Sequence, residues 1–320
     1  MPVTLALAGD TMLGRAVGER LAADPRHPLV APDVAEVARA ADMFVLNLEC
    51  CISERGERVR EPGKPFFFRA PPVAAERLAE LGVDCVSLAN NHALDYGLDA
   101  LEDTLALLCA AGVAAVGAGG DEAGARAPVV LECEGLRLRL VAVSDHPSSF
   151  AARPDRPGIA FADLWQRELP RWLRDAVAPR DDADAVLVLP HWGPNMRPAP
   201  VAHVRWAAAE LQAAGATLVA GHSAHVPQGP SGNVLFDLGD FVDDYAVDRA
   251  LRNDLGLLWL VTLDAGGLQR IEAVPLRLEL AFTRRASEVE TTVLLALLEE
   301  RCDAVGSAVA RVGDRLVFSG

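Results

Sequence analysis

Lysine is almost missing from these 320 residues. Of 30 basic side chains, 29 are arginine and one, Lys64, is lysine. Lysine differs from arginine as a compact charge with a pliable pKa, so a lone exception suggests a local role. Asparagine is scarce too. There are six, and Asn47, Asn90, Asn91 and Asn195 all fall inside the motifs described below. Basic charge as a whole is short: 30 Lys and Arg against 45 Asp and Glu leave a formal charge of −15. That argues against a nucleic-acid backbone or an anionic membrane as the main partner, since both need a basic face. No stretch approaches the roughly 18 uninterrupted apolar residues of a membrane span. The N-terminus lacks a basic segment followed by a long apolar run and a cleavage site. MPVTLALAGD leads straight into Asp10, so residues 1–10 read as part of the fold and a cytoplasmic location is expected. The six cysteines show no CxxC and no secreted spacing; Cys85, Cys109 and Cys133 lie in apolar runs and are expected to be buried thiols.

What is present is an alternation of short apolar runs and amphipathic segments. Strands are expected at 3–8, 43–48, 84–88, 114–117, 185–189, 217–220 and 233–237. Helices are expected from Thr11–Ala23, Val34–Ala41, Pro72–Leu81, Leu98–Ala111, Leu164–Val177, Val201–Ala214 and Glu288–Val305. Two antiparallel hairpins interrupt this order, at 129–143 around Glu134-Gly135 and at 255–280 around Gly266-Gly267. A last strand is expected at 315–318. Such a mixture fits two sheets packed face to face with helices outside. No repeat, linker or low-complexity tract divides the chain, so 1–320 is read as a single domain. Residues 246–320 are expected to complete the second sheet and add a C-terminal helix. A long Pro/Gly-rich loop, residues 50–72, carries an aromatic cluster, and loops of that length are often functional.

The polar residues that end the apolar runs carry the chemistry. They are Asp10 in LALAGD, Glu49 in FVLNLE, Asn91 and His92 in CVSLANNH, His191 in AVLVLPHWG, and His222 and His225 in TLVAGHSAH. Ligands of open α/β sheets bind outside the carboxyl ends of strands. Exits bearing Asp, Glu, Asn and His suggest one rim of oxygen and nitrogen ligands, a metal-hydrolase pattern. An Asp after a strand can also be a helix cap, and a lone His can be structural. Glu49, on an apolar background, needs a cation or an arginine. Asp95, three residues after His92, is placed to accept an imidazole N–H. His27, His146 and His203 have no such setting and are expected to be solvated or capping, with His146 able to border the pocket. Asp237, Asp240, Asp243 and Asp244 either support the ligands or form a solvated loop.

GDTMLGR, NLECCIS, GKPFFFRAP, SLANNHALDYG, HWGPNM, GHSAHVPQG and LFDLGDF, in this order over about residues 3–245, resemble the CapA family of poly-γ-glutamate capsule biosynthesis proteins. That family is part of the calcineurin-like metallophosphoesterase superfamily. The resemblance implies an α/β fold, a four-layer αββα sandwich, with one or two divalent metal ions (Mn, Fe or Zn) at one sheet edge. It implies Asp10 and His225 on one metal, Glu49 bridging, Asn91, His191 and His222 on the second, and His92 polarising the substrate. The superfamily's Asp-x-His after strand 1 is Asp10-Thr11-Met12 here, and the final His pair is separated by two residues instead of one. Lys64 and Arg69 on the long loop, with Arg197 after HWGPNM, are expected to face an anionic small-molecule or polymer substrate. The bond cleaved is a phosphoester or a γ-glutamyl-type amide. The competing reading is a non-catalytic accessory protein for polymer synthesis with a vestigial site.

Overall fold

The computed structural model describes residues 2–264 and 266–320. Two sheets make its frame. The strand Val3–Thr11 lies in the middle of the first, parallel to Met43–Leu48 on one side and antiparallel to Leu255–Asp264 on the other. Beyond Met43–Leu48 come Cys85–Ser87 and Ala114–Val116, both parallel. Beyond Leu255–Asp264 come Gly267–Glu279, Arg315–Ser319 and Ala308–Val312. In the second sheet Leu136–Ser144, Ala185–His191, Leu218–Ala220 and Val234–Leu235 run parallel, edged by Val129–Cys133 and Pro230–Ser231.

Side-chain alternation along these strands creates the layers, because successive residues face opposite sides of a sheet. Leu5, Leu7 and Val45 join Leu138, Leu140, Leu187 and Leu189 in an apolar cluster between the sheets. Their neighbours Ala6, Ala8, Phe44 and Leu46 face a second cluster. There they meet Val17 and Leu21 of Arg15–Ala23, Val34 of Pro32–Arg39, Leu78 of Val73–Leu81, and Leu101 and Leu108 of Leu98–Ala110. On the far side Val141, Val143, Val186 and Val188 pack on Leu173 of Arg171–Val177 and Leu211 of Ala202–Ala214. The result is a four-layer αββα sandwich. Each fully buried leucine contributes about 1.5–3 kcal/mol, so the three apolar seams hold the layers in place.

Several expectations change. Residues 246–320 do not complete the second sheet. Their long hairpin and the Ala308–Ser319 pair extend the first sheet, because Leu255–Asp264 takes the free edge of the N-terminal strand. The helix Glu288–Asp303 does form, and it seats Leu294, Leu298 and Cys302 in the inter-sheet cluster. The continuous helix expected over 164–177 is split. Leu164–Gln166 is a short 3-10 turn that ends on left-handed Arg167, and the α-helix starts only at Arg171, after Pro170. Thr11 belongs to its strand, and the following helix opens at Arg15. Cys109 is exposed and Cys133 half-buried, so only Cys85 of that trio is a buried thiol. Among the described residues no helix is long and apolar enough to cross a membrane.

One close approach sets up the site. A Cβ on Gly9 would lie 1.7 Å from the Gly239 carbonyl oxygen, so only glycine lets the two backbones touch. The Asp10 N–H donates to that carbonyl at 2.9 Å, and Asp10 pairs in register with Asp240.

Candidate metal centre

The first sheet supplies Asp10 at the end of its central strand and Glu49 directly after Met43–Leu48. The second supplies His191, the last residue of Ala185–His191, and His222, just beyond Leu218–Ala220. A lone parallel bridge joins His191 to His222. His225 follows in a left-handed conformation, φ 59°. All five side chains are buried and converge. Asp10 Oδ2 lies 3.2 Å from His225 Nδ1, and Asp10 Oδ1 lies 3.5 Å from His222 Nδ1. The two oxygens of Glu49 face opposite ways, Oε1 at 3.8 Å from His191 Nε2 and Oε2 at 4.0 Å from His225 Nδ1. Two compact groups result: Asp10, Glu49 and His191, and Asp10, His225 and Asp240. Asp10 is common to both, and Glu49 reaches from one to the other.

The donor set fits a divalent cation. Glu49 Oε1, Asn91 Oδ1, His191 Nδ1 and both ring nitrogens of His222 are buried without a hydrogen-bond partner. An unpaired buried polar atom costs about 1–3 kcal/mol, so so many in one place call for a common partner. Burial pushes the pKa of His222 down to about 4 and that of His191 well below the usual imidazole range, which leaves both neutral, the ligating form. Burial and the neighbouring Asp10 carboxylate raise Glu49 to about 8. A cation between these carboxylates would remove that penalty. Burial works against charge on His225 as well, but Asp240, Glu49 and Asp10 together hold its pKa well above 6.5. Carboxylate and imidazole donors without thiolate suit Mn, Fe or Zn.

The scarce asparagines brace this arrangement. Asn47 donates to Asp10 Oδ1 at 2.8 Å, and Asn90 donates to Asn47 Oδ1 at 3.1 Å. Asn90 also accepts from the His92 N–H at 3.0 Å, which ties the His92 backbone to the Asp10 strand. His92 lies beside the centre, with Nδ1 at 2.6 Å from Asp95 Oδ2. Burial lowers its pKa to about 4. Lys64 Nζ lies 3.0 Å from Asp95 Oδ1 and donates to the Asn91 carbonyl at 2.6 Å. The lone lysine therefore backs His92 and Asp95 instead of pointing into open space. Arg69 stacks over Tyr96, 4.2 Å from its ring centre, and donates to the carbonyls of Arg55 and Gly56. Arg197 is exposed, and its carbonyl accepts from Gln228. The three basic residues thus do not meet in one pocket.

Other groups emerge only in three dimensions. Asp240 Oδ1 accepts from His225 Nδ1 at 2.8 Å, and Tyr245 donates to Glu49 Oε2 at 3.2 Å. Asp237, Asp240 and Asp243 are buried instead of solvated, and Asp240 braces His225, whereas half-buried Asp244 pairs with Arg15. His203 is not solvated. It is buried, 3.1 Å from Asp145 Oδ2, and stacked on Trp165. Asp145 also holds His146, whose ring centre lies 5.3 Å from that of His191. Nothing in the spacing of residues 145 and 203 foretells that pairing; the near-even apolar pattern of the helix around His203 was the available clue.

Comparison with known proteins gives the family and the fold. A Mycobacterium tuberculosis protein named probable polyglutamine synthesis accessory protein is 33% identical over 294 residues, covering 87% of this chain and 77% of the relative. The Bacillus subtilis PGA biosynthesis protein CapA is 27% identical over 284 residues, covering 86% and 71%. A crystal structure of a hypothetical protein from Thermus thermophilus shares the fold, with a TM-score of 0.50 at 18% identity, covering 86% of this chain and 98% of that one. The family described as bacterial capsule synthesis protein PGA_cap matches residues 4–245, and this chain belongs to it.

Proposed function

We propose that this protein is a metal-dependent hydrolase of the CapA type, acting on a phosphoester or a γ-glutamyl-type amide. One observation carries the reading: Asp10, Glu49, His191, His222 and His225 converge from two sheets, and Glu49 Oε1, His191 Nδ1 and both ring nitrogens of His222 are buried there without a hydrogen-bond partner. Asp10, Glu49, His191, His222 and His225, with Asn91 and Asp240 beside them, would hold one or two divalent ions. When bound, such an ion would supply Lewis acidity to the scissile group and bring the pKa of bound water toward neutral. The chain's own residues do the rest. Asp95 accepts from Nδ1 of His92, which leaves the other nitrogen of the neutral ring unprotonated and able to take a proton from the attacking water. Lys64 holds Asp95 in place. Tyr245 and Asn47 orient the Glu49 and Asp10 carboxylates.

The relatives named for polymer synthesis, one of them as an accessory protein, support a second reading: a non-catalytic accessory protein for poly-γ-glutamate or other polymer synthesis with a vestigial metal site. A paired assay separates the two. Purified protein supplied with Mn, Fe or Zn is given an aryl phosphate and a γ-glutamyl amide, alongside His191→Ala. The hydrolase reading expects turnover of one substrate class and its loss in the variant. No turnover of either, or equal rates in both proteins, overturns it.

A further inference from the structure

We propose that the cavity beside the metal centre binds a flat, uncharged aromatic group that the substrate carries next to the bond being cleaved. The identity of that bond rests on the hydrolase reading; the aromatic subsite does not. The cavity holds about 440 Å³, enough for a bicyclic ring. His92 and His225 line its inner end, so whatever fills it sits against the candidate centre. Phe66, Phe68 and Tyr245 line it as well, with Met196 and Arg15.

The aromatic residues make a continuous wall. Phe68 lies 4.1 Å from the His92 ring centre and 5.8 Å from that of Tyr245. Phe66 continues outward, its ring within 10° of parallel to Phe68 at 6.4 Å. Phe66 is 55% exposed, an apolar ring left uncovered beside the most polar site of the molecule. Offset stacking is the arrangement aromatic pairs prefer, and the uncovered ring of Phe66 is the part of this wall open to it.

Charge points the same way. Arg15 of the cavity wall is already paired, with Nε at 2.9 Å from Asp244 Oδ1 and its guanidinium over all three rings, and His225 is paired with Asp240 and Asp10. Lys64 is held by Asp95. The locally basic pocket expected for a polyanion is therefore not built here, on a chain whose formal charge is −15. A neutral ring needs no counter-charge and matches the wall.

The test is calorimetric titration of the Mn-supplied full chain with three probes: 2-naphthylmethylphosphonate, methylphosphonate and 2-naphthylmethanol. The naphthyl phosphonate is expected to bind about tenfold more tightly than the methyl one, and Phe66→Ala to erase that advantage while Phe66→Trp retains it. Equal binding of the two phosphonates, an advantage that survives Phe66→Ala, or no binding of either naphthyl probe overturns the inference. Naphthylmethanol binding that Phe66→Ala removes upholds the aromatic subsite even if the phosphonate adds nothing. That last pattern counts against the hydrolase reading alone.

Discussion

Lys64 and Asp95 form a buried ion pair, Nζ to Oδ1 at 3.0 Å, and the second oxygen of the same carboxylate holds His92. One aspartate thus joins the lone lysine of the chain to the imidazole beside the candidate centre. Removing one partner of a buried pair leaves the other charge uncompensated, at a cost of about 3–5 kcal/mol. Lys64→Met is therefore expected to lose stability on that scale in urea unfolding. Asp95→Asn should lower kcat on the order of 10–100-fold with little change in KM, because the imidazole loses its orienting acceptor. Urea unfolding of Lys64→Met checks the first statement, and steady-state kinetics of Asp95→Asn the second.

Gly9 offers a purely steric prediction. A methyl group there would meet the Gly239 carbonyl at 1.7 Å, whereas one on Gly120 would find nothing within 4 Å. Gly9→Ala is expected to destabilise the protein by about 3 kcal/mol or more, since two strand backbones must part. Gly120→Ala should change stability by less than about 0.5 kcal/mol. Parallel urea titrations compare them.

The C-terminal helix predicts a pH dependence. Ser287 and Glu290 form a reciprocal cap, and Arg284 donates to both oxygens of Glu290. The Arg284 hydrogen bonds, against the effect of burial, hold the Glu290 carboxyl at about 2, below its usual 4.5. A lowered folded-state pKa means that the native fold favours the charged form. This contribution is complete above about pH 4.5 and is lost as pH falls through 2. The stability gap between the native chain and Glu290→Gln should be open at pH 7 and narrow by pH 3. Ser287→Ala, which removes the other half of the cap, should cost about 1 kcal/mol at either pH.

Much of the site was legible in the sequence because each of its members is local. An apolar run followed at once by Asp10, Glu49, His191 or His222 marks a strand and its exit without knowledge of the partner strand. Two packed sheets with helices outside followed from the mixture of βα units and hairpins, and the four-layer order from the family resemblance. What stayed hidden depends on contacts between distant segments. Asp145 meets His203 across 58 residues. Lys64 turns inward because Asp95 and the Asn91 carbonyl lie behind the loop, not because of anything within GKPFFF. The destination of the 255–280 hairpin was hidden for a related reason: a hairpin pattern fixes pairing within itself and says nothing of which sheet edge it meets. The split of the helix at 164–177 was foreshadowed by Pro170, whose ring disfavours helix in the residue before it.

The central claim is that residues from both sheets grip a cation, and metal content tests it most directly. The native chain and Asp10→Asn are each incubated with Mn, Fe or Zn, desalted, and measured by elemental analysis. The account predicts one or two ions per native chain, with at least one lost from Asp10→Asn, because Asp10 is common to both ligand groups. No ion above background in the native chain, or the same content in both proteins, would contradict it.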